Sequence, residues 1–172
     1  MKRLHLPLLV ALAFSAASGG AWAQSAQFDM TGQITLGTCD WAVGDDNRTI
    51  RLDPINANAL PANGGAGFKA FRLTLHNCTP VLSNATFIFS GTPDTVDALR
   101  FQSTGDATGV AVELASMDGQ TIGADGTNNT RTTPIVSGQS SLLLQAGYWR
   151  LGGQALNAGT VTAVSTVTLN YN

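Results

Sequence analysis

The stretch AGTVTAVSTVTLNYN, Ala158 to Asn172, decides the fold. Read with a period of two, it sets Val161, Ala163, Val167, Leu169 and Tyr171 on one side, with Ser165 among them. Thr162, Thr166, Thr168, Asn170 and Asn172 fall on the other side, with Val164 the exception. This is a strand with one apolar face. Left in water, its three or four large side chains would each forgo roughly 1.5 to 3 kcal/mol of burial, a sum comparable with the net stability of a domain. Something must cover the face, yet the sequence stops at Asn172 with no following strand to do so.

The other end of the chain offers a matching surplus. MKRLHLPLLVALAFSAASGGAWA, residues 1 to 23, has Lys2 and Arg3, an apolar run, and small residues at Ala21 and Ala23, the pattern of a secretory signal peptide. The run is too short for the roughly 20 apolar residues of a membrane span, and Ser15, Ser18, Gly19 and Gly20 break it. The expected mature chain starts at Gln24. Its first stretch, AQFDMTGQI, alternates cleanly, with Ala26, Phe28, Met30, Gly32 and Ile34 on one face and Gln27, Asp29, Thr31 and Gln33 on the other. Such a strand closes either its own domain or the groove of a neighbour by strand addition.

The remaining chain of about 149 residues suits one domain with a real core. Of nine Lys and Arg, Lys2 and Arg3 leave with the signal, so seven face eleven Asp and Glu. A mildly acidic chain without a basic cluster is a poor match for nucleic acid. Cys39 and Cys78 are its two cysteines, and an exported chain with one even pair is expected to form one disulfide. Two thiols alone do not complete a metal site.

From Gln24 onward, short runs of Val, Ile, Thr, Phe and Leu alternate with Gly, Asn, Asp and Pro, and no helical periodicity lasts beyond two turns. The expected class is all-β, with strands at Phe28 to Leu36, Arg48 to Asp53, Phe68 to Asn77, Ala85 to Ser90, Ala98 to Gln102, Val110 to Ser116, Ser141 to Arg150 and Thr160 to Tyr171. That spacing predicts a sandwich. Asp118-Gly119 predicts a tight hairpin, while Pro61 to Gly67 and Ala124 to Thr130 are expected to be loops without a ligand.

Chemistry is hard to find. His76 is the single histidine of the mature chain and lies in an apolar strand, where a structural histidine is expected in preference to a general base. Asp45 and Asp46 read as a solvated turn, and Asp118, Asp125 and Asn128 match no calcium-loop spacing. Sequons at Asn47, Asn77, Asn84 and Asn128 arise easily in an Asn- and Thr-rich β protein. The chain is expected not to be an enzyme, and no cofactor, metal or small-molecule substrate is expected. A rival reading is a secreted carbohydrate- or protein-binding sandwich with Trp41, Tyr148 or Trp149 as platforms.

Taken in order, the alternating extension with Gly32, Cys39, FRLTLHNC ending at Cys78, ATFIFSGTPD, TGVAVEL, AGYWRL, Gly159 fourteenth from the end and the penultimate Tyr171 resemble a subunit of chaperone-usher pili of the type 1 fimbrial kind. The resemblance covers nearly all of the mature chain. It implies an incomplete immunoglobulin-like sandwich lacking its final strand, made of a signal (1–23), a donor extension (24–37) and a pilin domain (38–172). Ala26, Phe28, Met30, Gly32 and Ile34 would fill a neighbour's groove. Gly159, Val161, Ala163, Ser165, Val167, Leu169, Tyr171 and Asn172 would form this chain's own groove and chaperone contact, with Gly159 keeping its floor open. The implied partners are neighbouring pilin subunits, a periplasmic chaperone and an outer-membrane usher, and the implied place is a surface fimbria supporting adhesion. The fifteen mature residues before Cys39 resemble the short extensions of minor or tip-fibrillum subunits.

Overall fold

Residues 37–172 are described by a computed structural model. The signal, the alternating extension and the expected strand Phe28 to Leu36 lie outside the described residues. Seven strands follow in chain order: β1 (Asp40–Trp41), β2 (Gly64–His76), β3 (Asn84–Gly91), β4 (Val110–Ser116), β5 (Thr130–Pro134), β6 (Ser140–Arg150) and β7 (Ser165–Tyr171). One 3₁₀ turn, Ala57–Ala59, lies in the long connection before β2. All pairings are antiparallel and give two sheets, ordered β1-β2-β6-β4 and β5-β3-β7.

Period-two side chains from both sheets meet in the core. Leu73 and Leu75 of β2, Leu142, Leu144 and Ala146 of β6, and Leu114 of β4 face Ala85, Phe87 and Phe89 of β3. Phe87 is fully buried, and the Trp41 ring meets it edge-on with centroids 6.1 Å apart. Phe101 and Ile122, from connections flanking β4, complete the cluster. Burying a side chain of this size stabilises by roughly 1.5 to 3 kcal/mol, which is why alternation in sequence fixes which face of each strand turns inward.

The two long seams of the sandwich differ. At the β4 and β5 side, Arg131 donates from Nε to Ser116 Oγ (3.0 Å), from Nη1 to the carbonyls of Asn128 (2.9 Å) and Thr130 (2.8 Å), and from Nη2 to the carbonyl of Gln120 (3.0 Å). That seam is laced shut. At the β1 and β7 side the Cys39–Cys78 disulfide fastens the start of β1 to the segment after β2 within one sheet, and among the described residues β7 meets β1 through Tyr171 and not through a lacing arginine. Closing that loop stabilises by about 4 kcal/mol in the chain-entropy model.

Several expectations are corrected. Residues 48–53 form no strand, and 98–102 contribute only the bridges of Phe101 to Pro93 and Val112. The expected loop Pro61 to Gly67 is partly strand, because β2 begins at Gly64 and runs through a bulge between Ala66 and Lys69. There Phe68 lies flat over Gly65 and Gly147, whose absent side chains leave room for its ring. Strand β5, TRTTP, is polar up to its terminal proline and gave no apolar alternation. The turn expected at Asp45 and Asp46 forms, but only Asp46 is solvated: the Asp45 side chain is 5 % exposed, pairs with Arg48, and accepts the Thr74 N–H at 2.8 Å. That carboxylate takes over from β1, whose last contribution is the Ala42 N–H to the Thr74 carbonyl. The hairpin at Asp118-Gly119 forms as expected, with Gly119 at φ +81°.

Candidate functional site: the outer edge of β7

The register of β7 on β3 pairs Tyr171 with Ala85, Leu169 with Phe87 and Val167 with Phe89. Asn172 and Asn84 exchange backbone bonds, N–H to carbonyl at 3.2 Å and 3.0 Å. Stepping by two, Asn170, Thr168 and Thr166 bond toward β3, so the N–H and C=O groups of Tyr171, Leu169, Val167 and Ser165 point away from it. Those same residues, Ser165 apart, turn half-buried side chains toward the core. The outward donors and acceptors therefore run above a partly covered apolar strip. Among the described residues no strand pairs with this edge.

The strip continues past the start of the strand. Val161 and Ala163 are half-buried while Thr160, Thr162 and Val164 are exposed, so the period of two runs unbroken from 161 to 163 and resumes at 167. Ser165, between them, is exposed and leaves the strip shallow at its middle. Near the disulfide, Tyr171 reaches across to β1. Burial raises its phenol above the usual 10.0, opposed by a hydrogen bond from the Cys39 backbone and reinforced by the nearby Asp40 carboxylate. Asn172 is exposed at the end.

Gly159 lies at the opposite end. A Cβ there would stand 2.6 Å from Ala107 N and 2.8 Å from Asp106 C, so the glycine permits close approach of two backbones. Around it, residues 160 and 162 bond to residues 103–107. Thr160 donates from N and Oγ1 to Asp106 Oδ1, and its carbonyl accepts from Ala107 N at 3.0 Å. The Thr162 carbonyl accepts from Thr104 N at 2.8 Å. The sequence reading did not single out Ser103, Thr104 or Asp106. Their signal lies in STGDATG, where Ser, Thr and Asp, side chains that bind backbone, are interspersed with two glycines.

The aromatic residues considered as platforms have structural partners. Trp41 packs on Phe87, and the Tyr148 hydroxyl donates to the Asp53 carbonyl at 3.2 Å. Trp149 lies 3.6 Å beneath the Arg100 guanidinium, itself buried with Glu113 and 3.5 Å from it. Asp118 and Asp125 are likewise engaged locally, by Ser116 and Gln120 and by Thr127. His76 is a half-buried strand residue opposite Asp40. Two concavities, each of about 460 Å³, lie elsewhere: one between Cys78 and Ile135, the other over Arg72 and Val136.

Comparison with known proteins identifies the family and the fold. The family model described as "Fimbrial protein" matches residues 28–172. The type-1 fimbrial protein subunit of Serratia marcescens is 30 % identical over 99 % of each chain. Fimbrial protein 987P of Escherichia coli is 29 % identical over 98 % of this chain and 96 % of that one. Among solved structures, the P pilus rod subunit PapA shares the fold with a TM-score of 0.67 at 18 % identity, covering 78 % of this chain and 99 % of that one. The chain belongs to the fimbrial protein family, as a structural pilin subunit of the chaperone-usher kind with an immunoglobulin-like β-sandwich.

Proposed function

We propose that this pilin polymerises by donor-strand complementation, with the β7 edge as the acceptor and the alternating segment of a neighbouring copy as the donor. The observation that carries this is the coincidence, on Val167, Leu169 and Tyr171, of outward backbone groups with half-buried apolar side chains. A strand laid there gains ladder bonds and covers the strip in one step, which is how strand addition combines affinity with specificity. Ala26, Phe28, Met30 and Ile34 supply the apolar face, and Gly32 supplies the gap in it. Before assembly a periplasmic chaperone lends its own strand to the same edge, beside Asn172, and an outer-membrane usher exchanges it for the next subunit. The route runs from signal cleavage after Ala23 through the periplasm to the surface, where the fibre supports adhesion.

The test compares oxidised mature protein with a form lacking Gln24 to Ile34, following unboiled gels and melting temperature with and without a peptide of those residues. The expected result is a heat-dissociable ladder for the full form and a weak monomer, strongly stabilised by peptide, for the shortened one. Monomer stabilised by peptide without a ladder identifies a subunit that must be followed by a different one, as in a tip fibrillum. Two equally stable monomers indifferent to peptide would overturn the reading in favour of a self-contained binding module.

A further inference from the structure

We infer that Asp106 is a positioning residue for strand docking, holding the segment before β7 in line so that the acceptor edge extends beyond the strand, from Tyr171 back to Val161. This deepens the docking reading and rests on it. The occupant is the segment Gln24 to Ile34 of a second copy, eleven residues long. Strand β7 itself offers only seven. Partner strand β3 ends at Gly91, opposite Ser165, so nothing in the sheet holds the chain before that point.

Residues 103–107 take over where β3 stops. Even-numbered residues of the edge bond inward on both sides of Val164: 166, 168 and 170 to β3, 162 to Thr104, and 160 to Asp106 and Ala107. The odd-numbered ones, six residues, are thereby left outward over a span from Val161 to Tyr171 that matches the eleven residues of the donor. Asp106 is the side chain that fixes the far end, because its Oδ1 accepts both the N–H and the hydroxyl of Thr160. The approach is so close that a Cβ at Gly105 would stand 2.1 Å from the Thr160 carbonyl oxygen. Two glycines, Gly105 and Gly159, leave the room that the contact needs.

The experiment uses freshly refolded, oxidised mature chain of residues 24–172 and a fluorescein-labelled peptide of residues 24–36. Association is followed by anisotropy, and the backbone amides of residues 160 to 162 by hydrogen exchange. Asp106→Ala is expected to slow uptake about five-fold and to speed exchange at Thr160, the effect of losing an ordinary hydrogen bond. Asp106→Asn keeps Oδ1 as an acceptor and is expected to stay within about two-fold of wild type. Uptake by Asp106→Ala at the wild-type rate overturns the inference, as does an Asp106→Asn as slow as the alanine variant. If Asp106→Ala does not refold, Thr160→Val removes the hydroxyl bond alone, and an unchanged rate there overturns it too. Wild-type protein that takes up no peptide and forms no ladder overturns the docking reading as a whole, whereas normal wild-type uptake with an indifferent Asp106→Ala overturns this inference only.

Discussion

Glycines at two positions of this chain are required for opposite reasons, and substitution separates them. At Gly159 the backbone needs no unusual dihedral, but an added methyl meets Ala107 N at 2.6 Å. At Gly119 an added methyl meets nothing within 4 Å, but φ is +81°. Gly159→Ala must therefore push residues 106–107 away and is expected to cost about 1 to 3 kcal/mol, the usual range for overpacking. Gly119→Ala is expected to cost about 1 kcal/mol, the strain of a left-handed residue. Urea unfolding checks both, with midpoints shifted and slopes unchanged. The two also differ at the docking edge, since only the first disturbs the segment that carries Val161 and Ala163. A Gly159→Ala variant as stable as wild type would show that residues 103–107 yield freely. Asp45 teaches a related lesson, because a charged pair in GDDNR looked solvated and one of its carboxylates instead completes the edge of β2.

Among the elements, β7 was legible because every inward residue is apolar or small and every outward one polar. The period makes a sharp prediction. Leu169→Glu places a charge against Phe87 and is expected to destabilise by about 2 to 5 kcal/mol, while Thr168→Glu, one residue away on the exposed side, stays within about 0.5 kcal/mol. Equal effects in urea titrations would mean that the strand's sidedness is misread. Strands β3 and β6 were legible for the same reason, carrying buried Phe or Leu at alternate positions, whereas β4 is buried on both faces and was legible as a Val- and Leu-bearing run. Where the sequence was silent, side chains carried no contrast. Strand β5 is stitched by Thr86 to Thr132 and by Arg131 rather than by apolar burial, and the first turn of β2 is Gly-Gly-Ala-Gly, invisible to any periodicity. The 98–102 run misled because Phe101 is buried from a single bridged position while Arg100 beside it is buried over Trp149. The edge itself was legible in outline, but its continuation before Ser165 depends on Asp106, distant in sequence and paired only by the fold.

At the scale of the whole molecule, one seam of the sandwich is laced by Arg131 and the other is bridged by Tyr171, so the response to pH should reveal both. On the acid side, Asp118 is held below the usual 3.8 chiefly by the Ser116 hydroxyl, and Asp106 below it chiefly by the Thr160 hydroxyl. A depressed carboxylate contributes stability that is fully present above its unfolded pKa and lost as pH falls through the folded one. Loss is therefore expected below 3.8, at Asp118 on the laced seam and at Asp106 beside the docking edge. On the alkaline side, burial raises the Tyr171 phenol above 10.0. A raised phenol contributes stability that is full below its unfolded pKa and lost as pH rises through the folded one, so loss begins above 10.0 at the open seam. Urea midpoints measured from about pH 2 to about pH 11 should thus form a plateau with two falling limbs. Tyr171→Phe is expected to flatten the alkaline limb alone, and Asp118→Asn to flatten part of the acid limb alone. An alkaline limb that persists unchanged in Tyr171→Phe would mean that the phenol is not held by the packing between β7 and β1, and the open seam would then be looser than its half-buried strip implies.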